Sequence, residues 1–271
     1  MKLRLMVWNS ILKTKELKKQ FNYQKERDKT ISTAYDRYSN CPFSIIDLDV
    51  QRTQFDDNVE ESRKNINNVL KTVATLLPEI NYCQGMNFIA AFLYRISKSE
   101  EQTFYLMLGL LKNTKFSKIF YNELKKLKLY FSAFEKILTL YLPIVSSFLK
   151  TNSIMANYYS SAWFITLFTS SMVKNTKLDG LVKIWDNFLL KGWKCIFNTG
   201  LILLEMSDEK LLTLRNEALM TFLSNGITQN LIFEDFSLLL QKLKKFKIKN
   251  KLIHNIKNEI KHEEQLTEEN D

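Results

Sequence analysis

Two short segments contain polar residues that could stabilise or orient a reacting anion. Arg52 follows Asp49 by three positions in the segment 46–53, and Gln84 lies in the segment 82–87. A guanidinium is planar and always protonated, so it can stabilise negative charge on an oxygen. A glutamine amide donates and accepts hydrogen bonds, so it can hold a water against a phosphate oxygen. Each segment also has a plainer interpretation, with Arg52 as a surface partner of Asp49 and Gln84 as an ordinary helix-start residue.

Most other chemistry is excluded by what the sequence lacks. Its two histidines, His254 and His262, both lie near the C-terminal end, which rules out a histidine-based triad or zinc site in the apolar part of the chain. No G-x-S-x-G nucleophile elbow is present. No G-x-x-x-x-G-K-S/T loop is present either, so we expect no nucleotide binding by the chain itself. Cys83 is a candidate thiol nucleophile, but no histidine partner is in prospect for it.

The composition favours a helical globular protein. Apolar residues make up 45% of the 271 residues, which is enough for a sizeable core. Glycine and proline number only 6 and 3, whereas sheet-containing folds usually need more turn residues. We therefore predict an all-α fold.

The charge and the cysteines restrict the partners and the compartment. The formal net charge of +10 suits an anionic membrane, an acidic protein or nucleic acid, or only a solvated lysine-rich surface. Because no RNP motif, zinc-finger spacing or arginine-rich arm is present, we expect no nucleic-acid partner. The 3 cysteines are widely spaced and odd in number, which fits a reducing, intracellular compartment.

Apolar residues recur at helical spacing along most of the chain. Spacings of three, four and seven predict a helix over residues 59–77, which Pro78 ends. We interpret the segment 46–53, which follows Pro42, as a loop that leads into a short turn. Further helices are predicted over residues 88–96, 102–111, 131–142, 161–172, 181–190, 193–206, 209–225 and 234–246, with a turn at 174–180 and Gly226 as a helix cap.

Three segments bear on membrane contact and on the domain boundary. Residues 151–173 carry no charge and are long enough to cross a bilayer, but they are rich in serine, threonine and asparagine. We predict a buried core segment there rather than a transmembrane helix. A lysine cluster at residues 242–249 suits either a solvated face or docking on an anionic membrane. Residues 251–271 are expected to form a polar tail with a frayed acidic end from Glu263.

Taken together, the short motifs resemble the TBC domain of Rab GTPase-activating proteins. Three motifs of that family occur in order: R-x-x-x-W at Arg4 and Trp8, I-x-x-D-x-x-R at Ile46, Asp49 and Arg52, and Y-x-Q at Tyr82 and Gln84. Residues 163–168 resemble the family's aromatic helix, and residues 184–194 resemble the block that follows it. The resemblance covers residues 3–246.

The resemblance implies a fold, an activity and roles for particular residues. The fold would be an all-α TBC domain over residues 1–250, with two helical lobes that divide near residues 112–128. The activity would be stimulation of GTP hydrolysis by a Rab-family small GTPase in its GTP-bound form. Arg52 would be an arginine finger, and Gln84 would act in trans in place of the GTPase's own glutamine. The supporting residues would be Asp49, Tyr82, Arg4 and Trp8.

The same resemblance implies the cofactors and the setting. GTP and Mg²⁺ would be bound by the GTPase, so this chain would need no cofactor and would have no enzymatic activity alone. Its setting would be vesicle trafficking in the cytoplasm, with peripheral contact to anionic endomembranes left open. Two alternatives remain: a module of the same fold that binds a Rab but activates it weakly, and a membrane protein that spans at residues 151–173. The choice of Rab depends on surface complementarity.

Overall fold

The computed structural model describes residues 1–34, 43–53, 58–172, 178–227, 246 and 248–268. Within these ranges the regular elements are helical and no strand occurs. The chain divides into two compact units, Met1–Glu123 and Leu124–Asp271. The all-α prediction is confirmed, and the division falls within the region 112–128 that was predicted to separate two helical lobes.

The first unit is built around three helices that pack against one another. In its described residues it contains seven α-helices and a short 3₁₀ helix at Ser117–Ile119. The α-helices are α1 (Lys2–Ile11), α2 (Thr14–Gln20), α3 (Tyr23–Ala34), α4 (Phe43–Arg52), α5 (Val59–Leu76), α6 (Met86–Ser97) and α7 (Glu100–Asn113). Helices α5, α6 and α7 pack pairwise, α4 packs on α5 and α6, and α2 packs on α7.

Close packing in this unit depends on one glycine and one carboxylate. Gly109 of α7 lies against the turn after α1, where a Cβ would be 2.6 Å from the carbonyl oxygen of Leu12. A side chain there would force the two backbones apart. The carboxylate of Glu100 accepts hydrogen bonds from Tyr23, from Arg27 Nη1 at 3.3 Å and from Asn68 Nδ2 at 3.1 Å. It thereby joins α3, α5 and α7.

The prediction of a loop over residues 46–53 is wrong, because Phe43–Arg52 forms helix α4. Ile46 and Val50 are four positions apart and are both buried, so the segment has an apolar helical face that a short window did not reveal. The hydroxyl of Thr53 donates to the carbonyl oxygen of Asp49 at 2.7 Å and so satisfies an acceptor in the last turn.

The second unit contains nine α-helices in its described residues. They are α8 (Lys125–Tyr141), α9 (Pro143–Thr151), α10 (Ala156–Thr166), α11 (Thr169–Met172), α12 (Leu178–Lys191), α13 (Lys194–Met206), α14 (Asp208–Thr213), α15 (Asn216–Thr221) and α16 (Asn250–Glu268). Helix α8 packs on α9, α10 and α16, and α12 packs on α13.

An aromatic cluster forms the core of this unit. The ring of Phe164 lies 5.2 Å from that of Phe197 and stacks on Trp193 at 6.1 Å between centroids. Trp163 and Trp185 are also buried, so all three tryptophans of this unit belong to its core. The described part of the segment 151–173 contributes Trp163 and Phe164 to this core, as predicted. No helix among the described residues is long and apolar enough to cross a membrane.

Four sequence expectations in the second unit need correction. The predicted helix 161–172 is interrupted at Leu167 and Phe168, which both adopt positive φ. The predicted helix 209–225 is two short helices, α14 and α15, separated by extended backbone at Leu214 and Arg215. Gly226 is not a helix cap but the end of a π-helical turn, Phe222–Gly226, where a Cβ would meet the Phe222 ring at 2.5 Å. Gly180 belongs to α12 rather than to the predicted turn at 174–180. The other residues of that turn up to residue 177, and most of the predicted helix 234–246, lie outside the described residues.

Residues 250–268 form a helix, although a frayed end was predicted from Glu263. Helix α16 runs from Asn250 to Glu268, with Ile253, Ile256 and Ile260 buried on one face. Lys136 of α8 donates to Glu263 at 2.7 Å. The helix packs on α8 because its isoleucines recur at three and four positions, within a sequence that is otherwise polar. The domain boundary at residue 250 stays a prediction.

Candidate functional site

Helix α4 presents Arg52 to solvent at its C-terminal end. Ile46, Asp49 and Val50 face inward, whereas Arg52 is exposed in the last turn. The carbonyl oxygen of Gln51, one residue earlier, accepts a hydrogen bond from Nη2 of Arg63 at 3.1 Å. A cation that binds a carbonyl at a helix C-terminus satisfies an orphan acceptor and opposes the negative end of the helix dipole. Arg63 of α5 therefore holds the backbone from which Arg52 projects.

Gln84 is exposed in the turn that precedes α6. The turn ends at Gly85, whose φ of 108° lies in a region that residues with a side chain rarely adopt. The amide of Met86 donates to the carbonyl oxygen of Cys83 at 3.1 Å and closes the turn. Because Gly85 permits this conformation, the side chain of Gln84 points outward while Met86 begins the buried face of α6.

Asn87, which is buried in the first turn of α6, joins these two segments. Its Nδ2 donates to Oγ1 of Thr53 at 2.8 Å and lies 3.4 Å from the carbonyl oxygen of Asp49. Its Oδ1 accepts from the backbone amide of Gly85 at 3.1 Å. One side-chain amide thus bonds the residue after Arg52 and the residue after Gln84.

A second link joins the phenol of Tyr82 to the buried carboxylate of Asp49. The Tyr82 hydroxyl donates to Asp49 Oδ2 at 2.7 Å and lies 3.3 Å from Asn87 Oδ1. A phenol has one proton, so the shorter contact with the carboxylate is the principal bond. Burial, followed by the hydrogen bond and the charge of Asp49, raises the pKa of Tyr82 well above its usual range. Tyr82 therefore stays a donor at neutral pH.

The Cys83 thiol is poorly suited to act as a nucleophile. Burial, and then the charge of Asp49, raises the pKa of the Cys83 thiol. Thiol reactivity depends on the thiolate, which a raised pKa disfavours. The sulfur lies 3.7 Å from the carbonyl oxygen of Gln84 and packs within the turn.

The structure describes every residue of the three short motifs. Asp49, Arg52, Tyr82 and Gln84 lie on the two segments that Asn87 joins. Trp8 is buried in the first unit with its ring 6.0 Å from that of Phe92, in the manner of a core residue. Arg4 lies half-buried on α1, one turn before Trp8, and its part in the site stays a prediction.

Sequence reasoning missed three residues that hold the site together. Thr53 and Asn87 had no assigned role, and Arg63 was not considered. Asn87 lies three positions after Gln84 in the first turn of a helix, and Thr53 lies four positions after Asp49. Residues three or four positions apart can contact each other across one helical turn. These spacings were the only sequence pattern that could have linked Asn87 and Thr53 to the site. The bond from Arg63 to Gln51 joins two helices and has no signal in a local pattern.

An exposed guanidinium and an exposed amide, carried by segments that share a buried polar network, suit contact with an anion that another molecule presents. Comparison with known proteins identifies the class. A family model described as the Rab-GTPase-TBC domain matches residues 1–212, and the chain belongs to that family.

Curated relatives carry the same kind of description. The chain is 33% identical over 177 residues to the GTPase activating protein Gyp51 of Schizosaccharomyces pombe, covering 65% of this chain and 17% of that protein. It is 28% identical over 184 residues to the GTPase-activating protein GYP5 of Saccharomyces cerevisiae, covering 68% of this chain and 20% of the relative. The chain therefore corresponds to a minor part of each of these longer proteins.

Solved structures agree on the fold. The Chlamydomonas flagellar RabGAP TBC domain aligns with a TM-score of 0.68 at 16% identity, covering 94% of this chain and 79% of that structure. The Ypt/Rab-GAP domain of Gyp1p aligns with a TM-score of 0.67 at 14% identity, covering 89% and 86%. These likenesses confirm the TBC fold.

Proposed function

We propose that this chain stimulates GTP hydrolysis by a Rab-family small GTPase in its GTP-bound form, with Arg52 as an arginine finger and Gln84 as a glutamine that acts in trans. The observation that carries the proposal is the Asn87 side chain, which bonds the Thr53 hydroxyl beside Arg52 and the Gly85 backbone amide beside Gln84. Two groups that serve one phosphate must be held in a common frame. Both side chains are exposed, as contact with a partner's nucleotide requires.

Arg52 supplies a charge that the GTPase alone lacks. In phosphoryl transfer the γ-phosphoryl group passes through a loose transition state with negative charge spread over its oxygens. An arginine inserted from a partner is worth about 10³ to 10⁵ in rate, which corresponds to roughly 4 to 7 kcal/mol. The guanidinium forms no covalent bond, and it acts through its position and its charge.

Gln84 supplies a group that can orient the attacking water. Its amide oxygen accepts a hydrogen bond from the water, and its amide nitrogen donates to a phosphate oxygen. Many GTPases use a glutamine of their own for this task. In the proposed reaction Gln84 replaces that residue, and GTP and Mg²⁺ stay bound to the GTPase.

Single-turnover hydrolysis tests the trans role of Gln84 with four combinations of proteins. Wild-type protein and Gln84→Ala are each combined with a GTP-loaded Rab and with the same Rab whose own glutamine is changed to leucine. We expect wild-type protein to activate both Rabs. Gln84→Ala should lose at least about tenfold in rate on the unmodified Rab, because a water-orienting contact is lost. Binding should fall much less, because the contact forms mainly in the transition state.

The control is Glu79→Ala, which removes an exposed side chain from the turn after α5, in the same connection between α5 and α6, and should leave the rate unchanged. If the leucine change in the Rab abolishes activation while binding persists, the trans role is wrong and the Rab's own glutamine is catalytic. In that case Gln84→Ala would retain most of its activity.

The alternative is a module that binds a Rab without accelerating hydrolysis. The exposure of both Arg52 and Gln84 favours the activator, because neither side chain is withdrawn into the core. Phosphate release from a panel of GTP-loaded Rabs separates the two functions. Binding to a Rab with no stimulated release would support the alternative.

The proposed substrate also sets the proposed location. A Rab activator would act in the cytoplasm during vesicle trafficking, with peripheral contact at endomembranes. Of the lysine cluster at 242–249, Lys249 is exposed just before α16, and Lys242, Lys244, Lys245 and Lys247 lie outside the described residues. Cosedimentation with phosphatidylserine vesicles at low and high salt tests the membrane contact, since electrostatic docking weakens with salt.

A further inference from the structure

We infer that Ile45 and Leu48, on the exposed face of α4, form the apolar contact by which this protein docks onto the GTP-bound state of its GTPase. The inference rests on the proposed function, since it assigns the surface beside Arg52 to the same partner. Ile45 and Leu48 are 52% and 51% exposed, although most aliphatic residues of the first unit are buried. Neither side chain is needed for the inward face of α4, which Ile46 and Val50 provide.

Helical geometry places the apolar pair directly beside Arg52. Residues advance by about 100° per position around a helix, so positions 45, 48 and 52 fall within an arc of about 60°. Along the axis, Leu48 precedes Arg52 by about 6 Å and Ile45 by about 10 Å. A protein that delivers a nucleotide to the Arg52 guanidinium therefore covers the neighbouring two turns of α4 as well.

The chemistry of this surface points to particular parts of the GTPase. Burial of two aliphatic side chains against a partner's apolar surface is favourable, whereas contact with an ionic surface contributes little to binding. In small GTPases the switch segments next to the γ-phosphate are ordered while GTP is bound and released after hydrolysis. The occupant is therefore an apolar patch on a switch segment in its GTP-bound arrangement. Ile45 and Leu48 would thus distinguish the GTP-bound state from the GDP-bound state, whereas Arg52 acts on the transition state.

The experiment measures affinity and turnover separately for Ile45→Ala/Leu48→Ala. Alanine keeps helix propensity while it removes the apolar contact. The probe is the Rab most strongly stimulated, or otherwise most tightly bound, by wild-type protein in the panel, loaded with GTP, with a non-hydrolysable GTP analogue or with GDP. We expect affinity for the analogue-loaded Rab to fall at least about tenfold, as for truncation of a central apolar contact. The half-saturating concentration in hydrolysis should rise in step, and the saturated rate should change less than threefold.

The matched control is Leu140→Ala/Ile144→Ala, which shortens two aliphatic side chains of the second unit that are 63% and 72% exposed. The control should keep wild-type affinity. An equal loss in the control would overturn the inference, because general exposed apolar area would then explain the effect. Unchanged affinity of the Ile45/Leu48 variant would also overturn it.

The outcomes separate this inference from the proposed catalytic roles. If wild-type protein stimulates hydrolysis and the Ile45/Leu48 variant binds normally, the activity stands and the docking surface is wrong. If wild-type protein binds the analogue-loaded Rab without stimulating hydrolysis, and the variant loses affinity, the docking surface stands and the catalytic roles fall. An equal loss of affinity for GDP-loaded Rab would remove the switch segments as the occupant.

Discussion

Arg52 combines an exposed guanidinium with a backbone that is held from two sides. The hydroxyl of Thr53 accepts a hydrogen bond from Asn87 and donates to the carbonyl oxygen of Asp49, and the carbonyl oxygen of Gln51 accepts a hydrogen bond from Arg63. The side chain itself is free to reach outward from the last turn of α4. Fixed backbone and accessible side chain are the conditions under which guanidinium geometry, rather than charge alone, decides the rate.

Replacing Arg52 by lysine tests that distinction. Arg52→Lys keeps the positive charge but loses the planar fork of donors. We predict that the stimulated rate falls at least about 100-fold, since an arginine finger is worth about 10³ or more. Single-turnover phosphate release measures the rate, and thermal unfolding checks that the fold persists. Gln51→Ala alters the neighbouring exposed side chain and should retain activity. Near-normal activation by the lysine variant would remove Arg52 from its proposed role.

The bond between Tyr82 and Asp49 should support both stability and rate. Tyr82→Phe leaves the Asp49 carboxylate, which is 6% exposed, without its phenol donor. We predict a loss of about 1–3 kcal/mol in the free energy of unfolding, as for a buried group that loses its partner, and a several-fold lower stimulated rate. Urea unfolding of Tyr82→Phe, Asp49→Asn and the double variant measures the coupling. Additive losses would show that the two side chains do not stabilise each other.

At the scale of elements, the contact between α4 and α5 determines how firmly the end of α4 is held. Arg63→Met keeps much of the side-chain bulk but removes the hydrogen bond to the carbonyl oxygen of Gln51. We predict a several-fold lower stimulated rate, with a loss of stability near 1 kcal/mol, typical of one hydrogen bond. Hydrolysis at saturating activator and urea unfolding are the measurements.

Glu60→Gln is the matched control for Arg63. It weakens the Arg63–Glu60 ion pair of 3.3 Å but leaves the bond to Gln51 intact. Because Glu60 is almost fully exposed, this pair should contribute little. If Glu60→Gln lowers the rate as much as Arg63→Met, the hydrogen bond to Gln51 is not what supports Arg52.

Helices that are indicated by the spacing of apolar residues and by a flanking proline could be predicted from the sequence. Helices whose bounds depend on tertiary contacts could not. The helix over residues 59–77 matches α5 to within one residue, because apolar spacing and Pro78 both mark it. The break at Leu167 and Phe168 has no glycine or proline to signal it. The sequence after residue 250 is mostly polar, so the helical spacing of the three isoleucines that pack α16 on α8 was not recognised. Propensity and pattern give way to tertiary packing in such places.

In the candidate site, too, residues in local motifs could be predicted and residues that depend on tertiary contacts could not. Arg52, Gln84, Asp49 and Tyr82 were singled out because short motifs carry them in a recognisable order. The role of Asn87 depends on which segments lie opposite it in space. Its bonds to Thr53 and Gly85 span 34 positions and two positions, respectively. The bond to Thr53 cannot be predicted from local sequence spacing.

At the scale of the whole molecule, the first unit carries the candidate site, and the second unit includes the C-terminal helix. The free energy that binds α16 to α8 should come from apolar burial. Three isoleucines are buried, each worth up to about 1.5–3 kcal/mol, whereas an exposed ion pair such as Lys136–Glu263 contributes about 0–1 kcal/mol.

Single substitutions separate the two contributions. We predict that Ile256→Ala lowers the free energy of unfolding of the second unit by about 2–4 kcal/mol, as for other buried aliphatic truncations. Lys136→Ala should lower it by less than about 1 kcal/mol. Urea unfolding followed by tryptophan fluorescence reports on this unit through Trp163, Trp185 and Trp193. Equally small effects would restore the interpretation of residues 251–271 as a solvated tail.

The link through Asn87 also bears on how fast the protein can engage a partner. Segments that become ordered only at an encounter lose conformational entropy then, at about 1–2 kcal/mol for each backbone residue. Here the segments 43–53 and 82–87 are ordered when the first unit folds, so these two segments need no rearrangement at the encounter. Association in the proposed reaction should therefore be a single diffusive step, whose observed rate rises linearly with activator concentration and shows no slow rearrangement afterwards.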